Sequence, residues 1–457
     1  MPLNSISPID GRYAKKTAPL SPIFSEKGLM SYRVKVEAEY LIALSSAGLG
    51  LRKFSEKEKK MLRSLHVLSQ KDAQMISDIE LKGYKKIKAT DHDVKAVEYF
   101  IKEKLSRTSL AKATEWVHFA LTSEDTNNLA YGLMLSEGVE KIMAPKLQEI
   151  VSRMKSMEKK YRNLPMLART HGQPASPTTF GKEMAVFAYR LQRALEHLKG
   201  QRILVKLNGA TGNYNAHVAA FPKFNWPKFS KNFVAGLNKN LKFKLELNPL
   251  TAQIEPHDSY IELFDRFRRM NTMLIDFNQD MWRYISDEWV IQKPVAGTVG
   301  SSTMPHKINP IKFENSEGNL GTANALFEFF ARKLPVSRLQ RDLSDSTVER
   351  NIGVAFAHSL VAYEYLLAGL DKIEVNRKKI LEDLDAHPEV IAEAIQTILR
   401  REGEKFPYEK LKELTRGKKV SLEDLRKFID TLPVSAKTKN ELKKITPRNY
   451  IGFAGKI

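Results

Sequence analysis

Apolar residues recur three or four positions apart along two long stretches in the middle of the chain. In the first stretch they are Val139, Ile142, Met143, Leu147, Ile150, Val151, Met154 and Met157. In the second they are Tyr260, Leu263, Phe264, Phe267, Met270, Met273, Leu274, Phe277, Met281, Ile285 and Trp289. This spacing places the apolar side chains on one face of a helix, and the second helix would be roughly 45 Å long. Helices of that length predict a central bundle, with a kink at Pro145.

Shorter patterns occupy both ends of the chain. Near the N-terminus they predict short helices, one of which begins with a capping box at Ser55 and Glu58. Toward the C-terminus the pattern is interrupted by helix-breaking residues at Pro388, Gly403, Pro407, Gly417, Pro433 and Pro447. We therefore predict an all-α fold in three domains: 1–112, a long-helix bundle over 113–370, and 371–457.

Few segments predict extended backbone. The best strand candidate is Arg202–Leu207, and a shorter extended piece is predicted near Thr251–Ile254. The chain shows no internal repeat and no low-complexity tract. The prediction of a mainly helical protein therefore stands on the periodic stretches.

The composition is ordinary for a soluble globular protein, since 42% of the 457 residues are apolar and 28% are charged. Cysteine is absent, which excludes disulfides, zinc–thiolate sites and a cysteine nucleophile, and fits a reducing compartment. The segment Met1–Lys16 lacks the apolar core of a secretory signal, and we identify no stretch long and apolar enough to cross a bilayer. We therefore expect a cytoplasmic protein without a membrane partner.

The formal net charge of +21 is compatible with three kinds of partner: nucleic acid, an acidic membrane surface or an anionic small substrate. Lysines cluster at Lys57–Lys60 and Lys85–Lys88 and are scattered over 223–244. No block is long, and none alternates with aromatic residues as a stacking surface would. A lysine-rich solvated surface is the simpler interpretation, and we expect no specific nucleic-acid partner.

The segment Gly300–Pro310 concentrates Gly, Ser, Pro, Lys and Asn between two helical regions. Gly and Pro prevent a continuous helix there, and small hydroxyl side chains leave backbone N–H groups open. Open amides beside Lys307 would form an anion site that stabilises negative charge developing on a substrate. A long polar surface loop explains the same composition equally well.

A second candidate is His171, in a break between helices at Arg169–Ala175. Histidine as a residue type exchanges protons near neutral pH, which suits general acid–base catalysis, although a structural histidine is the competing interpretation. Three more segments, Gly11–Tyr13, Thr90–Lys95 and Thr122–Asp125, are individually explained as surface or as helix starts.

Several other chemistries have no motif in this sequence. A phosphate-binding loop, a dinucleotide-binding glycine turn, a His-Glu-x-x-His metal motif and a Gly-x-Ser-x-Gly nucleophile elbow are all absent. Clustered His and Cys ligands are absent as well. We therefore expect no cofactor and no metal.

The segment Gly300–Asn309 resembles the signature loop of the fumarase/aspartase superfamily and matches every fixed position of Gly-Ser-Ser-x-Met-Pro-x-Lys-x-Asn. The segments Thr170–Ala175 and Thr122–Asp125 resemble the other two regions that the superfamily shares. Further segments are similar to adenylosuccinate lyases of the bacterial type, namely Asp10–Tyr13, His92–Tyr99, Asn208–Ala210, Gln253–His257 and Arg341–Ser346. The resemblance extends from Ser7 to Asn449.

This resemblance implies a three-domain, all-helical subunit that assembles as a homotetramer around a long central bundle, with each active site completed by three subunits. It implies β-elimination of fumarate from two purine nucleotide substrates, adenylosuccinate and the succinylaminoimidazole carboxamide ribotide. By resemblance Ser301 is the base and His171 the general acid, while Lys307 and Asn309 hold the carboxylates. A serine hydroxyl is a weak base, so loop closure would have to surround its oxygen with donors and exclude water.

The remaining matches imply substrate-binding roles. Arg12 and Tyr13 would contact the nucleotide end of the substrate, and Thr122, Ser123 and Gln253 would contact its succinyl or ribose groups. The phosphate and the sugar would be bound by Arg341, Ser346 and Arg350. His92 and Asp93 would also contact the substrate. Two positions depart from the pattern. Asp91 stands where relatives often carry Asn, which adds negative charge beside an anionic ligand, and Gly236–Lys244 is a longer, Lys-rich segment that suggests a surface insertion.

Two alternatives remain open at this point. Argininosuccinate lyase, fumarase and aspartase share the signature loop but need no phosphate contact, so Arg12, Arg341 and Arg350 favour a nucleotide substrate. A helical scaffold or nucleic-acid-binding protein is suggested only by the net charge, and it would bind arbitrary DNA with a steep salt dependence.

Overall fold

The computed structural model describes residues 3–294, 303–304, 306–417 and 420–456. The described residues are mainly helical, which confirms the all-α prediction. The helices up to residue 199 are α1 Ala14–Thr17, α2 Ser21–Phe24, α3 Glu26–Ser45, α4 Glu56–Ser64, α5 Gln70–Leu81, α6 Asp93–Leu105, α7 Ser123–Gly138, α8 Ala144–Tyr161 and α9 Phe180–Lys199. The later helices are α10 Asn215–Ala220, α11 Trp226–Leu237, α12 Asp258–Ser286, α13 Ile311–Lys333, α14 Ser344–Glu349, α15 Ile352–Asp371, α16 Arg377–Asp385, α17 Ala392–Arg401, α18 Pro407–Thr415, α19 Leu422–Thr431 and α20 Ala436–Lys443.

The strands are short and pair two by two. They are β1 Pro165–Thr170, β2 Gln173–Thr179, β3 Ile203–Val205, β4 Leu245–Leu247, β5 Val290–Gln292 and β6 Ile373–Val375. The pairs β1–β2 and β5–β6 are antiparallel and β3–β4 is parallel. No larger sheet is formed among the described residues, so the strands brace a helical fold.

The second periodic stretch forms α12, whose apolar face is buried as its spacing predicts. Among the predicted face residues Leu263, Phe267 and Phe277 are fully buried. The helix ends at Ser286, before the last predicted position. Glu288, two residues further on, has a φ of 61°, and this left-handed backbone cannot continue a right-handed helix.

The first periodic stretch continues directly from α7 rather than starting a new helix. Residues Val139–Met143 form a single π-helical turn between α7 and α8. Pro145 is the second residue of α8 and has no N–H for the i−4 carbonyl. The irregularity that Pro145 predicts is therefore present, as a π turn on its N-terminal side.

The strand predictions were partly correct. The strand β3 lies inside the predicted Arg202–Leu207. The prediction at Thr251–Ile254 was wrong, because that segment forms bends and β3 instead pairs with Leu245–Leu247. The hairpin β1–β2 was missed, because the prolines in both of its strands disrupt the alternating pattern that predicts a strand.

The chain divides into two compact units. The first contains Met1–Leu147, Ala194–Leu274 and Gly318–Glu364, and the second contains Gln148–Arg193, Ile275–Glu317 and Tyr365–Ile457. The division into three domains at residues 112 and 370 stays a prediction.

Each unit has its own apolar core. In the first, helices α3, α5 and α6 bury side chains that include Val34, Leu41, Ile76, Val97 and Phe100. The same unit contains a cluster of stacked and edge-on rings, formed by Phe264, Phe267, Phe327, Phe330 and Phe356. In the second, α16, α17 and α19 bury side chains that include Leu384, Ile395, Leu399, Leu425 and Ile429.

One expectation about apolar stretches needs correction. The stretch Ser344–Asp371 does have the length and the mean hydropathy, 1.3, of a membrane-spanning helix. Within the fold 67% of its most apolar window is buried. A core helix of a globular protein meets the same criteria, because its apolar positions face other helices on all sides.

Candidate active site

The N-termini of α6 and α7 are joined by a histidine side chain. His92 is the N-cap of α6, and its Nδ1 accepts a hydrogen bond from the backbone N–H of Lys95 at 3.3 Å. Its Nε2 lies 3.3 Å from the hydroxyl oxygen of Ser123, the first residue of α7. Because Nδ1 accepts, the proton of the neutral ring lies on Nε2, which therefore donates to Ser123. The helix start predicted at Thr90–Lys95 thus also fixes the orientation of His92.

The carboxylate of Asp93 forms ion pairs with two arginines from distant parts of the chain. Its Oδ2 lies 2.8 Å from Arg33 Nη2 and 2.7 Å from Arg350 Nη2. Arg33 is buried and also donates from Nε to Asn127 Oδ1 at 2.9 Å. Burial pushes the pKa of Asp93 upward, but the charge of Arg33, hydrogen bonds and the charge of Arg350 together hold it below its ordinary value. Asp93 is therefore a carboxylate that positions two cations.

Arg350 is shared between two carboxylates. Besides Asp93, it meets Glu26, where its Nη1 lies 2.8 Å from Oε1 and 2.6 Å from Oε2. Glu26 is the first residue of α3 and its side chain is half exposed. An anionic ligand that took Arg350 would have to displace the exposed Glu26, since Asp93 is the more buried partner.

Arg341 lies in a buried group of charges. Its Nη2 lies 3.2 Å from Glu124 Oε2, and its Nε lies 3.4 Å from Asp345 Oδ2. Ser346 follows on α14 and donates its backbone N–H to Asp345 Oδ1 at 2.7 Å. The Arg341 side chain is 10% exposed, so its guanidinium lies at the edge of the buried interior.

The Thr122–Asp125 segment forms the helix N-cap that its sequence predicts. Thr122 and Asp125 form a capping box at the start of α7. The same Asp125 carboxylate accepts the Lys206 ammonium at 2.6 Å and the backbone N–H groups of Asn208 and Gly209 at 3.0 and 3.2 Å. One buried carboxylate therefore links α7 to the Asn208–Ala210 motif.

Gln253 lies against the same motif. Its Nε2 donates to the backbone oxygen of Ala210 at 3.0 Å. Asn208 donates from Nδ2 to the hydroxyl of Thr251 at 2.8 Å, which fixes the neighbouring backbone. Gln253 thus contacts the Asn208–Ala210 motif, and Asn208 donates its backbone N–H to Asp125 in the N-terminal turn of α7.

His171 lies at the tip of the β1–β2 hairpin. It forms a two-residue turn with Gly172, and both have left-handed backbone, with φ of 52° and 74°. Two left-handed residues in sequence are the hairpin turn that best matches strand twist. The His171 side chain is exposed. The predicted break between helices at this position is confirmed, and it is occupied by the hairpin between α8 and α9.

Of the signature loop, part lies within the described residues. Lys307 is exposed and donates its backbone N–H to Met304 at 3.1 Å. Asn309 is half-buried, beside Ile308, whose carbonyl accepts a hydrogen bond from Gln292 at 2.6 Å. Ser301 lies outside the described residues, so its pairing with His171 stays a prediction.

Two other predicted positions lie on exposed turns. Arg12 is exposed, and the neighbouring Tyr13 donates its backbone N–H to Pro8 at 2.8 Å. Asp91 is exposed with a φ of 46°, and its N–H donates to Glu80 at 2.9 Å. Left-handed backbone is tolerated best by Asn, Asp and Gly, which explains why Asp can stand here in place of Asn.

The structure thus brings part of the predicted set together. His92 contacts Ser123, Asp93 contacts Arg350, and these four residues occupy one region of the first unit. Sequence reasoning missed four partners, Glu26, Arg33, Glu124 and Asp345. Glu124 and Asp345 lay inside quoted motifs, but nothing in the sequence indicated that they meet Arg341. Among the described residues no group of three or more acidic or histidine side chains could hold a metal ion.

The comparisons with known families agree with this fold. The family model described as Lyase matches residues 11–324, and the model described as Adenylosuccinate lyase C-terminal matches residues 337–451. Among solved structures, a 3-carboxy-cis,cis-muconate lactonizing enzyme from Pseudomonas putida has a TM-score of 0.71 at 20% identity, covering 96% of this chain and 94% of that one. A fumarate lyase from Mesorhizobium sp. BNC1 has a TM-score of 0.71 at 17% identity, covering 96% of each chain.

The fold and the Lyase match define the class of protein, a lyase of the fumarase/aspartase fold. Adenylosuccinate lyases from Escherichia coli strain K12 and Vibrio cholerae are 49% and 48% identical over 99% of this chain and 97% of theirs. The adenylosuccinate lyase of Dictyostelium discoideum is 50% identical over 99% of this chain and 97% of its own. The chain therefore belongs to the adenylosuccinate lyase family.

Proposed function

We propose that this protein eliminates fumarate from two substrates. Adenylosuccinate would give AMP, and the succinylaminoimidazole carboxamide ribotide would give the aminoimidazole carboxamide ribotide. The observation that carries the proposal is the near-complete alignment, at 48–50% identity, with adenylosuccinate lyases. The clustering of His92, Ser123, Asp93 and Arg350 in one region supports it further, because these residues come from three separate segments of the chain. A substrate without a phosphate, as in argininosuccinate lyase, would offer no phosphate for Arg350 and Arg341 to bind.

The reaction breaks a C–H and a C–N bond and forms the double bond of fumarate. A base removes a proton from the succinyl carbon beside a carboxylate, which places a second negative charge next to the first. An acid protonates the departing purine-side nitrogen. We assign the base to Ser301 and the acid to His171, by the match of their motifs to the family pattern. The negative charge requires fixed donors, and Lys307 and Asn309 are assigned to this task.

The hairpin geometry supports a catalytic role for His171. His171 is exposed at the tip of a two-residue turn, so its ring is accessible to a substrate. Both residues of the turn have left-handed backbone, as this type of hairpin turn requires. A proton donor needs such a fixed position to protonate one nitrogen of the substrate and no other.

The arginines support a phosphate-bearing substrate. Arg350 presents a planar fork of N–H donors that suits phosphate oxygens, and it is held by carboxylates on two sides. Exchange of Glu26 for a phosphate would keep the guanidinium paired. We assign Arg12, Tyr13 and Ser346 to the same nucleotide end, and Thr122, Ser123 and Gln253 to the succinyl or ribose groups.

We further propose a cytoplasmic homotetramer in which each active site draws on three subunits. Large apolar side chains on three long helices are exposed in the single chain and support such an assembly: Tyr189 on α9, Trp282 on α12 and Phe329 on α13 are 70%, 45% and 45% exposed. Exposed apolar side chains along long helices are typical of surfaces that pack against other subunits.

The test is to mix the purified protein with adenylosuccinate and to follow its ultraviolet absorbance together with released fumarate. Ser301→Ala and His171→Ala should each lower turnover by orders of magnitude while the assembly, measured by light scattering, stays the same. Arg401→Ala, which removes an exposed arginine paired with Glu441, is the control and should leave turnover unchanged. Release of fumarate from argininosuccinate but not from adenylosuccinate would contradict the proposal.

A further inference from the structure

Five ionisable side chains lie together behind the N-terminus of α7. They are Glu124, His257, Arg341, Asp345 and Glu349, and none of them is more than 10% exposed. Arg341 lies within ion-pair distance of Glu124 and of Asp345, at 3.2 and 3.4 Å. His257 Nε2 lies 3.2 Å from Glu349 Oε1. Glu124 directly follows Ser123, so this group lies next to the contact between α7 and His92.

The charges in this group balance only if one carboxyl is neutral. Arg341 with Asp345 and protonated His257 with Glu349 make two cation–carboxylate pairs. Glu124 is a third carboxyl, and neither of its oxygens forms a hydrogen bond with the described residues. A buried carboxylate without its own cation and without donors is strongly disfavoured relative to the protonated acid.

The buried Lys206 does not supply the missing cation. The fully buried Lys206 forms an ion pair with Asp125, the next residue on α7. Glu255 is a further acid beside His257. Its carboxyl accepts hydrogen bonds from the backbone N–H of His257 at 2.8 Å and from the side-chain amide of Asn248 at 2.9 Å. Burial and then the charge of Glu349 raise the pKa of Glu124 to about 8, which agrees with the count of charges.

We propose that Glu124 is a positioning residue that carries a proton in the working enzyme, so that it holds the Arg341 guanidinium in place without adding a second negative charge beside it. A protonated carboxyl still presents an oxygen to Arg341 Nη2. The positive charge of Arg341 is then opposed by Asp345 alone, which leaves it more available to the phosphate of the substrate. This inference rests on the proposed function, because it takes Arg341 as a phosphate-binding residue.

Loss of the Glu124 proton should weaken binding of a phosphate-bearing ligand. A phosphate monoester is already dianionic above about pH 7, so its own charge does not change between pH 7 and 8.5. Over the same interval Glu124 would become an anion beside Arg341. If only the protonated form binds well, the Kd of AMP should rise about fourfold from about pH 7 to about pH 8.5. AMP undergoes no chemical step in the site, so the proton transfers of catalysis do not enter this measurement.

The experiment is calorimetric titration of AMP into the assembled protein at these two pH values. The wild-type Kd should rise about fourfold. Glu124→Gln, which is neutral at both pH values, should show a ratio of the two Kd values near one. Glu255→Gln is the matched control, because Glu255 is a buried acid next to this five-residue group and is bonded to Asn248 rather than to Arg341. It should retain the wild-type ratio.

Two results would overturn the inference. One is a wild-type Kd that does not change with pH, which needs no variant at all. The other is a Glu124→Gln protein that folds, as judged by circular dichroism, and keeps the wild-type ratio; Glu124→Met is the second neutral variant if Gln does not fold. Failure of the proposed function looks different, because the wild-type protein would then neither bind AMP nor release fumarate from adenylosuccinate.

Discussion

The Lys206 ammonium and the Asp125 carboxylate form an ion pair at 2.6 Å, and neither side chain is exposed to solvent. Lys206 also donates to the Gly209 carbonyl at 3.0 Å. Asp125 in turn caps α7 and accepts the Asn208 N–H. The pair is therefore the fixed point from which the N-terminal turn of α7, with Ser123 and Glu124, is positioned.

Asp125→Ala should be strongly destabilising, by about 3–5 kcal/mol, because it leaves the Lys206 charge buried without a partner. The free energy of unfolding in urea measures this. Asp424→Ala is the matched control: Asp424 closes the same kind of capping box with Ser421, but at an exposed position of α19, and its loss should be much smaller. Equal losses in the two variants would show that the cap, rather than the ion pair, carries the stability.

Gly172→Ala should lower kcat while costing about 1–2 kcal/mol of stability. The φ of Gly172 is 74°, which an alanine adopts only with strain, and no atom lies near the new Cβ, so the effect is on the backbone that aims His171. Gly403 is the control, since it has a φ of 79° and equally open surroundings. Gly403→Ala should show a similar stability loss with normal kcat. A normal kcat in Gly172→Ala would argue against the hairpin tip as the acid's support.

Arg350→Ala should raise the KM for adenylosuccinate at least about tenfold with a smaller effect on kcat, because it removes a charge-assisted contact to phosphate. Glu26→Gln should do the opposite and lower KM a few fold, because Glu26 occupies the same guanidinium in the absence of ligand. Steady-state kinetics on both variants provide the test. An unchanged KM in both would remove Arg350 from the phosphate site.

Stability should fall as the pH rises above neutral. Burial lowers the pKa of His257, but the hydrogen bond and charge of Glu349 outweigh it and raise that pKa to about 9. A group whose pKa is raised on folding stabilises the native state below its unfolded pKa, and this contribution is lost as the pH passes the folded value. Between pH 6.5 and 9 His257 should therefore contribute a loss of up to about 3 kcal/mol.

Urea unfolding of the wild type and of His257→Gln over this range isolates the histidine contribution. The raised pKa of Glu124 also makes the free energy of unfolding fall as the pH rises. The contribution of His257 is therefore the difference between the two proteins in how steeply the free energy of unfolding depends on pH. Parallel pH dependence in the two proteins would contradict the assignment of a charged, buried His257.

Helices and their caps were largely predictable, because their signals are local. The apolar spacing predicted α12, and the capping box at Ser55 and Glu58 was confirmed. The hairpin β1–β2 was not predictable, because its prolines disturb the strand pattern and its pairing depends on the turn at His171. The motif matches named the candidate site residues but said nothing of their partners.

The amino-acid order alone was enough to establish the helical class, the family and the residues that carry its motifs, since periodicity, caps and signature loops depend on neighbours a few positions apart. Folding was needed to join Arg350 to Glu26, 324 positions away, and to enclose Glu124 with charges from two other segments, at His257 and at Arg341–Glu349. Those contacts arise only when packing removes water from groups that are far apart in the chain. The raised pKa of Glu124 follows from its burial and that of His257 from its contact with Glu349, so neither has a local signal in the sequence.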